Sequence, residues 1–140
     1  MDKALFYLSL ARKAGLAELG EEPVSTAAKA GKARLVIVAR DASDHTWRRG
    51  LSFVAGTAQP CIRVPYTKDE MGFAIGRTAL AMAALTDAGM ALSLVEALEQ
   101  PDAQALAALK EAALRSRQRA KEAKAHARGK KPGKRPAKQK

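Results

Sequence analysis

The 140-residue chain carries 25 Lys/Arg against 14 Asp/Glu, a net charge of +11, and nearly all of the excess is C-terminal. Residues 1–100 hold 12 basic and 11 acidic side chains, a net of +1, whereas residues 101–140 hold 13 and 3, a net of +10; the first part has the size of one folded domain and the second is built to meet a polyanion. A single cysteine, Cys61, and two scattered histidines exclude a disulfide framework and a Cys-based metal cluster. No apolar run approaches the ~18 residues of a membrane span, and Met1-Asp2-Lys3 lacks the layout of a secretory signal, so a reducing, cytoplasmic setting without a membrane partner is expected.

In chain order, Ala4, Tyr7, Leu8 and Ala11 form one stripe with Leu5 beside it, which predicts a helix over 3–14 closed by Gly15. Leu16–Leu19 reads as a short strand. Gly20-Glu21-Glu22-Pro23 reads as a turn opening a second helix with Pro23 at its first position, ending before Gly31. The β-branched run Arg34–Arg40 predicts a central strand covered on both faces. Asp41-Ala42-Ser43-Asp44 offers caps for a third helix through Trp47, Leu51 and Val54, and Cys61–Pro65 is a further strand.

Thr67 and Glu70 have capping-box spacing, so a short helix should hold Met71 and Phe73 before Gly76. Ala81–Thr86 is another buried strand, and Asp87 opens a helix with Ala91, Leu94, Val95 and Leu98 on one face, stopped by Pro101. From Asp102 the composition is strongly helix-forming, with a narrow seam of Leu106, Leu109, Ala113 and Leu114. The alternation of helices and strands gives an α/β chain: a three-layer α/β/α sandwich with a roughly four-stranded sheet over residues 1–100, a basic C-terminal helix over 101–128, and a disordered basic tail over 129–140.

Catalytic and cofactor chemistry find little support. Gly20-Glu21-Glu22-Pro23 lacks the glycine pattern and Lys-Ser/Thr of a nucleotide loop, and two carboxylates at a helix start repel phosphate. Asp41, Asp44 and His45 read as a helix cap with a surface histidine rather than an acid–base cluster. Cys61 lies in an apolar strand, as a small hydrophobe does. Trp47 suits core or edge packing better than base stacking, although Arg48 and Arg49 follow it. No metal, cofactor or enzymatic activity is expected.

A set of spaced features distinguishes the chain: Gly20; Gly31-Lys32-Ala33-Arg34-Leu35-Val36-Ile37-Val38-Ala39-Arg40-Asp41; Met71-Gly72-Phe73-Ala74-Ile75-Gly76-Arg77; and Ala83-Ala84-Leu85-Thr86-Asp87-Ala88-Gly89. Together they resemble the ribosomal L7Ae/L30e-like family, and most of all its small bacterial YlxQ-type branch, over roughly residues 3–98. The resemblance implies an L30e-like mixed sheet and binding of structured RNA, in many members at a kink-turn. It places the site where the first short strand meets the second helix, assisted by the loop before the last strand. On this chain those places are Gly20, Glu21, Glu22, Ser25 and Thr26, and Arg77, Thr78, Ala79 and Leu80. A glycine admits close approach of RNA, and a helix start offers free N–H groups.

Where archaeal and eukaryotic kink-turn binders read Gly-x-Asn-Glu-x-x-Lys, this chain has Glu22 for the Asn, Pro23 for the Glu and Thr26 for the Lys, and Arg40 stands where those proteins often carry Glu. Lys29 and Lys32 are candidate phosphate contacts and Arg40 a further candidate RNA contact, although the helix dipole alone also favours Lys at a helix end. In the tail, Arg119, Lys121, Lys124, Arg128, Lys130, Lys131, Lys134 and Arg135 are dense enough to bind any nucleic acid at low salt. The expectation is a non-enzymatic RNA-binding protein, its RNA ribosomal or kink-turn-like, with ribosome-associated proteins as further partners. The alternative is a protein-interaction module of the translation machinery whose tail tethers it to nucleic acid.

Overall fold

The structure is a computed structural model that describes residues 2–130. In chain order these form α1 (Lys3–Lys13), β1 (Ala17–Leu19), α2 (Glu21–Lys29), β2 (Leu35–Val38), α3 (Asp44–Val54), β3 (Cys61–Arg63), α4 (Lys68–Ala74), β4 (Met82–Leu85), α5 (Ala88–Glu96) and α6 (Ala103–Lys130). The four strands lie in the order β1-β4-β2-β3. β4 runs antiparallel to both β1 and β2, and β2 runs parallel to β3, so the sheet is mixed. Every residue of β2 and β4 is buried, as an unbroken apolar run in an interior strand requires.

Helices α2 and α3 pack together on one face of the sheet, and α1, α4 and α5 associate on the other. This is the α/β/α sandwich expected from the alternation, with α6 added against α5 through Ala105, Leu109 and Ala113. No helix among the described residues is long and apolar enough to cross a membrane.

Several local expectations shift. The regular strands span three or four residues each, and single bonds from Arg34 N–H to Leu85 O, Ala39 N–H to Ala81 O, Val64 N–H to Val38 O and Thr86 N–H to Leu16 O carry the pairing outward toward 34–40, 61–65 and 81–86. Helix α2 starts at Glu21, which makes Pro23 its third residue; the first helical bond is Val24 N–H to Gly20 O at 3.1 Å, so the missing proline N–H breaks nothing. α3 meets the sheet through Gly50 and Val54, while Leu51 is exposed. A Cβ on Gly50 would lie 3.2 Å from Cys61, Met82 and Val38 side-chain atoms, so this helix sits close on three strands because residue 50 has no side chain.

The capping box is present in both halves: Thr67 Oγ1 accepts from Glu70 N–H at 3.1 Å, and Glu70 Oε1 accepts from Thr67 N–H at 2.8 Å. Within α4, Met71 is fully buried but Phe73 is 79% exposed. α5 ends at Glu96, ahead of Pro101. Leu114 leaves the α6 seam and is exposed, whereas Ala105, Leu109 and Ala113, four residues apart, face the domain. The assigned helix continues through residues 129 and 130, and 131–140 lie outside the described residues.

Candidate nucleic-acid interface

The fold brings the two predicted segments side by side. β1 is paired with β4, so its last residues reach the start of β4, and Gly20 N–H donates to Met82 O at 2.9 Å. Gly20 there has φ +100° and ψ 162°, a region open to glycine and costly for other residues. The chain then turns directly into α2. Because Pro23 has no N–H, Glu21 and Glu22 supply the helix-start donors that the helix itself cannot satisfy.

Residues 77–80, between α4 and β4, double back along α4. Arg77 N–H donates to Gly72 O at 2.8 Å and Leu80 N–H to Lys68 O at 2.9 Å. The loop rests on Gly72: a Cβ at that position would stand 2.7 Å from Ala79 N and Cα and 2.9 Å from Arg77 O. Arg77, Thr78 and Ala79 are exposed, so the loop presents them outward. Leu80 departs from its expected place in the site, because its side chain is 4% exposed and its N–H is taken; it anchors the loop in the core.

Arg40 follows β2 at the same sheet end and is exposed; next to it, Ala39 N–H donates to Ala81 O at 2.9 Å. Asp41 Oδ1 accepts from Lys68 N–H at 2.8 Å and so ties the β2–α3 loop to the start of α4. Ser43, not Asp41, caps α3, through Thr46 N–H at 3.1 Å. Asp41 thus has a structural task, and no three His, Cys, Asp or Glu side chains converge among the described residues.

One contributor was missed. Arg49 of α3 crosses to the start of α2, where its Nε lies 2.5 Å from Glu21 Oε1, while its guanidinium sits 5.2 Å from the Phe53 ring centre. The two charged groups are 44% and 36% exposed, so the pair gains little stability in solvent but places a cation at the helix mouth. Thr26 turns its hydroxyl back to Glu22 O at 3.1 Å. Ser25 is half-buried beside it.

Lys29 and Lys32 are not brought to this end. They flank the far terminus of α2, roughly 13 Å away at 1.5 Å per residue over nine residues. Trp47 is half-buried against the core with the Arg63 guanidinium 5.0 Å over its ring, which makes it a packing residue. Cys61 is half-buried on β3, and burial pushes its thiol pKa up to about 12, which disfavours the nucleophilic thiolate. Arg119, Lys121 and Lys124 lie exposed along α6. Arg128 and Lys130 fall on its last turns, and Lys131, Lys134 and Arg135 lie outside the described residues.

No protein-family model matches the chain. Among solved structures it is similar to a protein of unknown function from Bacillus halodurans, at 30% identity and a TM-score of 0.66, covering 71% of this chain and all of that one. It is also similar to the Giardia lamblia 15.5kD RNA binding protein, at 18% identity and a TM-score of 0.59, covering 73% of this chain and 87% of that one. The chain therefore belongs to the family of the Bacillus halodurans protein and has the L7Ae/L30e-like fold.

Proposed function

We propose that this chain is a non-enzymatic, cytoplasmic RNA-binding protein of the YlxQ-type branch that reads a structured RNA, ribosomal or kink-turn-like, at the sheet end formed by Gly20–Thr26, Arg40 and Arg77–Ala79. The observation that carries this reading is the Gly20–Met82 hydrogen bond, which sets a side-chain-free turn and a helix start against the 77–80 loop. The likeness in fold to an RNA-binding protein supports it. Sequence-specific RNA readers take splayed, unstacked bases by hydrogen bonds to their edges, which a backbone turn beside a short loop can supply.

Charge at this end is balanced, which suits selection by shape rather than by phosphate attraction. Thr26 stands where archaeal and eukaryotic kink-turn binders carry a lysine, and Arg49, delivered from α3 to Glu21, supplies a cation within reach of the same helix start. Glu22 is exposed and offers acceptors to a guanine edge. The basic half of α6 and the tail add affinity that does not depend on sequence.

Amide shifts of labelled full-length protein on titration with a kink-turn RNA test the reading. Perturbations at Gly20–Thr26 and Arg77–Ala79 are expected; shifts confined to α6 contradict it. The protein-interaction alternative has one observation in its favour, the 79% exposure of Phe73 beside this loop. Under that alternative RNA would leave Gly20–Thr26 unshifted.

A further inference from the structure

At the opposite end of the sheet, α6 passes the C-terminal end of α2 and leaves a cleft of about 490 Å³, lined by segments 28–34, 57–60 and the middle of α6. Its floor is small and apolar, with Ala28, Ala33, Leu109 and Ala112. Its charged lining is Lys29, Arg34, Arg115 and Arg119 against Glu111 alone, and Glu111 is paired with Arg115. We propose that this cleft is a second RNA-binding surface, which grips the phosphodiester backbone of a double-stranded segment and is separate from the Gly20–Arg77 site.

The cleft is held in shape before any ligand arrives. Gln59 clamps its two loops: Nε2 donates to Ala28 O at 3.1 Å and Oε1 accepts from Ala33 N–H at 3.1 Å. The first of these bonds gives Ala28 O, which also accepts from Gly31 N–H at 3.0 Å, a second donor and so further neutralises the negative end of α2. Arg34 Nη1 donates to Gly31 O at 3.1 Å, which fixes the guanidinium over the cleft and leaves its other donors for a ligand.

Arg115 and Arg119 are four residues apart on one helix face, a separation of about 5–6 Å between Cβ atoms, suited to successive phosphates of one strand. The burial of Leu109 at 1% exposure fixes the height of both. Arg117, Lys121 and Lys124 continue the positive charge along α6 beyond the cleft. The lining has neither an exposed aromatic nor a large exposed aliphatic side chain to enter a bilayer, and a phosphate backbone fits an array of guanidiniums above an apolar floor. This inference rests on RNA being the ligand, and not on which RNA the other end selects.

The test is the salt dependence of full-length protein binding to a plain duplex RNA two helical turns long, with a DNA duplex of the same length as a second arm. The triple variant R34Q/R115Q/R119Q should make the slope of log K against log salt shallower by about 2 to 3 on the RNA duplex. R34K/R115K/R119K should keep the slope, and K3Q/R12Q/K13Q, which removes three exposed cations from α1, should move it by less than about 1. An unchanged slope in the glutamine triple, or equal changes in the α1 triple, overturns the proposal, as does a loss seen on DNA alone. Preference for a kink-turn over the duplex, read in the same titrations, reports separately on the Gly20–Arg77 end. Its absence would remove the kink-turn reading of that end while leaving the cleft standing.

Discussion

The two ends of the sheet differ in kind. At one end Arg40, Arg49 and Arg77 stand among Glu21, Glu22 and Asp41, and what is distinctive is backbone: a glycine at φ +100° and a loop pressed onto Gly72. At the other, Lys29, Arg34, Arg115 and Arg119 surround a small apolar floor with Glu111 as the acidic partner. The first arrangement can discriminate shapes and attracts phosphate weakly; the second attracts phosphate and discriminates little. Under the proposed function, affinity and selectivity belong to separate surfaces, roughly the length of α2 apart, and each should be open to damage without the other.

The largest expected effect comes from breaking the charged end at its anchor. Leu109→Ala empties a position that is 1% exposed and should cost about 2–5 kcal/mol in urea unfolding, with loss of the steep salt dependence. If α6 were merely appended, the unfolding curve would not move. At the other end, Gly72→Ala drives a methyl into Ala79 and Arg77 backbone, costs about 1–3 kcal/mol, and should erase any kink-turn preference while leaving duplex binding intact. A shift map in which residues 77–79 stay in place would contradict it.

Gly20→Ala should cost a similar about 1–3 kcal/mol through backbone strain, read as a lowered melting temperature. Arg49→Gln sharpens the comparison further. Its pair with Glu21 is solvent-exposed, so stability should change by less than about 0.5 kcal/mol. Kink-turn affinity should nevertheless fall several-fold, and unchanged affinity would remove Arg49 from the site.

The smallest effect lies at the edge of the near-neutral end, where Arg40 N–H donates to Tyr66 O at 2.8 Å. Tyr66 donates its hydroxyl to Asp2 at 2.5 Å, and burial, helped by that bond, raises the phenol above its ordinary range. The same bond holds the Asp2 carboxyl below its usual value. The phenol's contribution is complete below about pH 10 and is lost as pH rises toward its folded value; the carboxylate's is present above about pH 4 and is lost as pH falls. Asp2 is exposed, so both effects are slight. Tyr66→Phe should flatten the pH dependence of the unfolding midpoint at both extremes, and an unaltered profile would deny the coupling.

The sequence carried the architecture because its signals are local: the β-branched run that became β2, the Thr67–Glu70 capping box, and the alternation that makes an α/β/α sandwich. It located Gly20 and the 77–80 loop by family likeness, and the folded chain joins them through Gly20 and Met82. It could not show Arg49 at Glu21, since 28 residues separate them and no periodicity links α3 to the start of α2. Leu51 repeats with Trp47 and Val54 in sequence, yet the sheet meets Gly50 instead, as close approach favours the residue without a side chain. Lys29 and Lys32 looked contiguous with Gly20–Thr26 in sequence, but a helix carries them to the far end.

The most direct test of the division of labour is the ratio of kink-turn to duplex RNA affinity for the full chain, followed as salt is raised. Both affinities should fall steeply and together, with the ratio staying well above one, because the cations of the charged end are common to both complexes and selection lies at the near-neutral end. A ratio that starts near one, or decays to one as salt rises, would show that charge alone governs binding and would contradict the account.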